Sequence, residues 1–266
     1  MTSKNLPAPA AVGPVLAAVT CPMGSVRVTV DATATIARAE VRTDDTTGPT
    51  ADAVAQSRIS QDGNRLTIVV PDVRGAGGGM TQTVITSGGG TRVTQVFGNV
   101  TGSVTGMTII NGQIITGGGN TVASSGIEVL ITLPAGSGVQ MNSRNADLTV
   151  TGLLAALDLD THNGSLRAGI VGRAKVRGHN GDNDIEAIQD WADIETHNGN
   201  TYIGTYGGGA ARLITHNGNL ELSATPSASG RIEARAHNGN VRLRGVSNRP
   251  ELDVVTKTRN GRISKH

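Results

Sequence analysis

Seven asparagines constrain this chain more than any other feature. Asn145, Asn163, Asn180, Asn198, Asn217, Asn238 and Asn260 lie 18, 17, 18, 19, 21 and 22 residues apart, and six of the seven are followed by glycine. A spacing that grows slowly while its marker stays fixed describes stacked coils that carry loop insertions. Aligned on the asparagine, both flanks alternate apolar and polar residues, the pattern of half-buried strands. Three and five residues after the marker stand Leu148 and Val150, Leu166 and Ala168, Asn183 and Ile185, Thr201 and Ile203, Leu220 and Leu222, Val241 and Leu243, and finally Ile263. Before it, one inward column reads Leu157, Ala174, Ala192, Ala211, Ile232, Val254 and the next Leu159, Val176, Ile194, Leu213, Ala234, Thr256. The column beside the turn is small: Thr161, Gly178, Thr196, Thr215, Ala236, Thr258.

Coils of this size cannot close a core alone. Stacked, they form an all-β parallel β-solenoid with two short strands per coil and rungs about 4.8 Å apart, so the six steps from Asn145 to Asn260 span roughly 29 Å. The insertions fall at the corner opposite the asparagine, where "GLLA" becomes "ATPSASG" and later "GVSNRPE", and where variation costs least. Composition agrees with a narrow interior. Glycine supplies 37 of 266 residues, and the aromatics are Phe97, Trp191, Tyr202 and Tyr206, so Val, Ile, Leu, Ala and Thr methyls must fill the core.

The corner pairs Asn163-Gly164, Asn180-Gly181, Asn198-Gly199, Asn217-Gly218, Asn238-Gly239 and Asn260-Gly261, with Asn145 at the head, read as structural. Both residue types tolerate a left-handed backbone, and stacked Asn amides can hydrogen-bond along a ladder. Immediately before the asparagine stand His162, His179, His197, His216 and His237, with Arg144 and Arg259 in the same column at either end. Alternation turns these side chains outward, one strand spacing apart. They are candidate metal ligands or proton sensors, set against a plainer reading in which the corner needs only a polar outward residue, as the two arginines in the column suggest.

Outward charges alternate in sign from coil to coil: Asp158, Lys175, Asp193, Arg212, Glu233 four residues before the His, and Asp160, Arg177, Glu195 two before it. Opposite charges on adjacent strands favour one stacking register. Net charge is +2, yet from Arg231 onward nine Lys/Arg face Glu233, Glu251 and Asp253. Arg242, Arg244, Lys257, Arg259 and Arg262 are candidate anion-binding residues toward an anionic surface. The alternative is an edge strand that uses basic residues to discourage end-to-end addition. Nucleic acid is disfavoured, because no aromatics interleave with the basic residues for bases to stack on.

Upstream, four segments are expected: a flexible tail over 1–21, an N-terminal β cap over 22–72, a Gly/Thr-rich β insertion over 73–126, and the solenoid over 127–266. Prolines interrupt the apolar run of the first segment, no stretch of about 18 apolar residues spans a membrane, and a single cysteine, Cys21, excludes an internal disulfide. Together these point to the cytoplasm, with export as the alternative. In 22–72, "SVRVTVD", "TIARAEVRT" and "NRLTIVVPD" alternate, with a turn at Asp62-Gly63. The insertion reads as a glycine-turned hairpin or irregular coils, with Asn111-Gly112 two coils ahead of Asn145. None of its glycine runs has the order of a phosphate loop.

The order "NRLTIVVPD", then "IEVLITLPAGSGVQMNSRNADLTVTG", then serial "HNGN" coils resembles the bacterial putative-adhesin family, domain of unknown function 4097, with β-strand repeats. The likeness covers about residues 22 to 263 and is most specific at "LPAGSGV". It implies a parallel β-solenoid with no established catalytic residues, so none is carried over and no cofactor is implied. The function expected is that of a non-enzymatic scaffold or adhesin-like module whose partners are other proteins or copies of itself. Two alternatives remain: a metal- or pH-responsive assembly protein using the five histidines, and a polysaccharide-acting β-helix enzyme using Asp158, Asp160, Asp182 and Asp184, which would need carboxylates clustered on one face.

Overall fold

The protein's structure is a computed structural model that describes residues 1–7, 11–73 and 126–266, together with the backbone of four strands between 82 and 116. In chain order the elements are β1 (Thr2–Asn5), β2 (Leu16–Thr20), β3 (Met23–Asp31), β4 (Arg38–Thr43), the helix α1 (Pro49–Gln56), β5 (Arg58–Asp62) and β6 (Arg65–Val69). The four isolated strands follow: β7 (Gln82–Ser87), β8 (Gly90–Gln95), β9 (Met107–Ile110) and β10 (Gln113–Thr116). The stack then runs through β11 (Glu128–Pro134), β12 (Gly138–Ser143), β13 (Asn145–Asn163), β14 (Leu166–Asn180), β15 (Asn183–Asn198), β16 (Thr201–Tyr206), β17 (Ala210–Asn217), β18 (Leu220–Ala224), β19 (Gly230–Asn238), β20 (Val241–Arg244), β21 (Leu252–Asn260) and β22 (Ile263–Lys265).

The coils stack as a parallel β-solenoid, and the register is the one the repeat dictates. Leu157 lies on Ala174, Ala192, Ala211, Ile232 and Val254 in turn, and Leu159 on Val176, Ile194, Leu213, Ala234 and Thr256. On the face after the corner, Leu148, Leu166, Asn183, Thr201, Leu220, Val241 and Ile263 form one continuous column. A one-residue slip would turn every one of these side chains to solvent. β13, β14 and β15 each continue around the opposite corner, with register shifts between Val150 and Leu153 and between Val171 and Arg173. Ala174, Val176, Ala192, Ile194, Ile203, Leu213, Leu222, Ile232 and Leu243 have essentially no exposed surface, and Tyr206 is the bulkiest side chain fully buried. Two of the buried polar side chains satisfy each other: Asn183 Nδ2 donates to Thr196 Oγ1 at 2.8 Å.

The N-terminal segments do more than cover the stack. β2 lies between β6 and β12, parallel to both, and β3 lies between β11 and β13, again parallel to both. The expected tail over 1–21 is therefore corrected. Ala17, Val19 and Cys21 are buried, and β2 with β3 makes a rung that later strands enclose. Apolar alternation in "LAAVT" outweighs the flanking prolines, which sit outside the strand where their missing N–H groups cost no ladder bond. Burial pushes the Cys21 thiol up to about 12, and its S–H donates to the Met23 carbonyl.

The cap proper is antiparallel. β4 pairs with β11 and with β1, and β5 pairs with β6. α1 packs beside β1 and β4 and buries Thr50, Ala51, Ala53 and Val54; Pro49 opens it, where a missing N–H is harmless. Of the insertion, β7 pairs antiparallel with β8 and β9 with β10. Asn111-Gly112, the glycine runs at 77–79 and 117–119, and residues 88–89 lie outside the described residues. No helix among the described residues is long and apolar enough to cross a membrane.

Candidate functional site

Three parallel ladders run along the asparagine corner. Innermost are the asparagines themselves. Each donates its Nδ2 to the Oδ1 of the preceding rung, Asn163 to Asn145, Asn180 to Asn163, Asn198 to Asn180, Asn217 to Asn198, Asn238 to Asn217 and Asn260 to Asn238, at 2.6–2.7 Å. The expected left-handed backbone is found at four of the six corner glycines and at none of the corner asparagines. Gly181, Gly199, Gly218 and Gly239 have φ of 141°, 148°, 153° and 153°, whereas Asn248 is the one non-glycine with positive φ among the described residues. Glycine is further required because a Cβ at Gly239 would overlap the Gly218 carbonyl oxygen. Asparagine is there for its amide.

A second ladder, not anticipated from the sequence, stands two residues on. Asp147 Oδ1 accepts the Ser165 N–H, Asp182 Oδ1 accepts the N–H and Nδ2 of Asn200, and Asn200, Asn219 and Asn240 each accept the backbone N–H of the next rung, ending at Arg262. The signal was visible in the last letter of "HNGN". Asp182 is thereby a corner residue, and Asp184 lies beside Arg167 at 4.0 Å.

The third ladder is the histidine column. The rings of His162, His179, His197, His216 and His237 stack with centroids 4.7–4.8 Å apart and planes within 14° of parallel. In this geometry the five rings do not converge on a common point. Two nitrogens on one ion are at most about 4.2 Å apart when each bond is about 2.1 Å, and parallel rings aim their nitrogens side by side instead of at a common point. Among the described residues no group of three His, Cys, Asp or Glu side chains is placed to hold a metal ion. Arg144 ends the column on Asp72 at 3.3 Å.

Beside the histidines runs a shallow groove of about 410 Å³, walled by His162, His179, His197 and His216 on one side and Asp160, Arg177, Glu195 and Ile214 on the other. Charges along it are shared between rungs. Asp193, a half-buried carboxylate, accepts from Arg177 at 2.7 Å and Arg212 at 2.9 Å, and Arg212 reaches Glu195 at 3.2 Å. Burial alone would raise the Asp193 carboxyl; the two guanidiniums outweigh it and hold the group below its ordinary range. Asp158 pairs with Lys175 at 3.5 Å as the alternation implies. Asp160 departs from that pattern, since its register partner Arg177 turns to Asp193.

The basic end divides in two. Arg242 and Arg244 both reach Glu221, at 3.4 and 2.8 Å, so these two anion-binding candidates share one carboxylate that offsets half of their charge. Glu221 is the register neighbour of Arg242, a pairing the aligned columns contained. Lys257, Arg259 and Arg262 have no acidic partner among the described residues, and Lys257 lies in register on Arg235, a like charge.

No protein-family model and no curated protein sequence matches the chain. Solved structures similar to it include a "putative adhesin" from Bacteroides fragilis NCTC 9343, at 13% identity over 99% of this chain and 96% of that one with a TM-score of 0.41. A "putative cell adhesion protein" from Clostridium sporogenes ATCC 15579 matches at 9% identity over 99% and 98% with a TM-score of 0.39. A "putative adhesin" from Parabacteroides merdae ATCC 43184 matches at 10% identity over 100% and 95% with a TM-score of 0.37.

Proposed function

We propose that this chain is a non-enzymatic, adhesin-like scaffold, related to the repeat family it resembles in sequence, that holds a rigid extended surface for other macromolecules to bind. The observation that supports this most is the unbroken asparagine ladder, six side-chain hydrogen bonds in series outside a continuous apolar core. Such a rod fixes the spacing of every outward residue, and a surface repeated at each rung suits a large or repetitive partner. Three of the four carboxylates that an enzyme reading would use are drawn to neighbouring rungs, Asp158 to Lys175, Asp182 to Asn200 and Asp184 to Arg167.

Beads coated with the full chain test this reading. They should be retained under flow on surfaces carrying mucin, matrix protein or the chain itself, and beads coated with a variant unfolded by Ile194→Asp should not. Equal retention of the two, or release of new reducing ends from an acidic polysaccharide by the wild type, sinks the proposal.

A further inference from the structure

The last rung differs from every rung before it. The columns that end in Ile232, Ala234 and Val241 are closed to solvent, yet their successors Val254, Thr256 and Ile263 are partly open, Ile263 to 40%. Gly230 donates its N–H to the Glu251 carbonyl, and alternation along β21 then turns the N–H and carbonyl of Val254 and Thr256 away from β19, toward the open side. Asn260 donates its amide to Asn238, which leaves its Oδ1 facing outward along the ladder as an acceptor. The Val254 carbonyl already accepts Lys265 Nζ at 3.4 Å, so the end of the stack presents a strand edge with apolar positions, the N–H of Val254, the N–H and carbonyl of Thr256 and an amide oxygen, all in the register of a further rung.

Charge identifies what fits there. Upstream, cations touch acids on neighbouring rungs: Lys175 touches Asp158, Arg212 touches Asp193 and Glu195, and Arg242 and Arg244 share Glu221. On β21 the outward residues Lys257 and Arg259 have no such match among the described residues, and Arg235 beneath Lys257 is itself engaged with Glu233. Carboxylates two residues apart on an added strand would stand opposite Lys257 and Arg259, completing the alternation. A second copy presented tail to tail would instead set these cations against themselves.

We propose that the β21 edge is a docking site for an extended acidic peptide segment of a partner protein, which adds as a strand with Asp or Glu facing Lys257 and Arg259 and small β-branched residues over Val254 and Thr256. This rests on the reading of the chain as an interaction module and assigns it one surface. Retention of the coated beads without peptide binding would refute the docking site and leave that reading standing.

The test uses the full chain and a short synthetic peptide in which Glu alternates with Val and Thr, beside a matched peptide carrying Lys for Glu. By titration calorimetry the Glu peptide should bind and the Lys peptide should not. Joint replacement Lys257→Glu and Arg259→Glu should weaken binding about tenfold or more. Thr256→Pro, which removes an edge N–H while leaving both cations, should weaken it comparably, and hydrogen exchange at Val254 and Thr256 should slow when the peptide is bound. Absence of binding by the wild type overturns the proposal. So does binding that survives Thr256→Pro without slowed exchange, since that is charge attraction alone. A wild-type dimer that Thr256→Pro converts to monomer also overturns it, by showing that a second copy takes the edge. If Thr256→Pro fails to fold, the charge-reversed variant and the exchange measurement decide.

Discussion

The two ends of the stack are built from the same kind of strand and finished in opposite ways. Toward the chain's N-terminus, β4 and β5 run antiparallel to their neighbours, β1 adds a further strand, and α1 packs beside them. Here Leu66, Ile68, Val41 and Val54 are as fully buried as the middle of the rod. Toward the C-terminus, β21 and β22 continue the parallel ladder, and among the described residues no strand pairs with their far edge, which carries basic side chains. Reversing strand direction breaks the repeat, because an antiparallel strand no longer places matching residues over matching residues. The parallel end preserves the repeat and with it the capacity to take another rung. One end is a stop and the other is a template, and edge cations are what keep a template from pairing at random.

Substitutions probe this contrast. The largest effect belongs to the shared middle. Ile194→Asp puts a charge where no partner exists and should cost more than about 4 kcal/mol, seen as loss of a cooperative melt; a normal transition would mean the inward register is wrong. Next, Leu66→Ala at the closed end should cost about 3 kcal/mol, whereas Ile263→Ala at the open end should cost less than about 1 kcal/mol. Equal values in urea titrations would erase the distinction between the ends. Asn198→Ala removes two ladder bonds and should cost about 2 kcal/mol, against roughly half of that for Asn260→Ala, which has a neighbour on one side only.

Smaller again is Asp193→Asn, at about 1 kcal/mol near neutral pH once solvent screening of its arginine partners is allowed for. Because the folded carboxyl is held below its unfolded value of about 3.9, its stabilisation is present above that value and is lost as pH falls through the lower, folded one. The gap between wild type and variant should therefore be constant above about pH 5 and narrow in stronger acid. A gap that widens on acidification would contradict the assignment. Smallest is His197→Arg, expected within about 0.5 kcal/mol of wild type, since arginine already stands in that column at both ends. A loss of several kcal/mol would make the ring stack a structural element in its own right.

Residues 127–266 were legible because the code is local and repeated: an outward His, an amide, a glycine and two alternating strands recur often enough to align without any structure. The N-terminal rungs were not, for a physical reason. β1 pairs with β4 some forty residues away, and β3 lies between strands that begin more than a hundred residues later, so nothing in the neighbouring sequence announces either contact. α1 is eight residues long, too short for its apolar positions to show a helical period. At the site, the asparagine ladder followed from spacing, while the second ladder needed the backbone. Asp147, Asp182, Asn200, Asn219 and Asn240 mix two residue types, and what they have in common is a side-chain oxygen that accepts an N–H from the next rung.

The alternating charges carry a consequence for how such a rod can change length. Geometrically each coil is interchangeable, since Asn180 and Asn198 occupy equivalent places, and excising residues 181–198 would rejoin the corner without a seam. Electrically it is not. Removing that single coil would lay Arg212 on Lys175 in the outward column, while removing two, through Asn217, would lay Glu233 there and restore an attraction. The backbone repeats every coil, but in the column from Asp158 to Glu233 the charge repeats every second one, so in that part of the stack coils gained or lost in pairs keep the attraction.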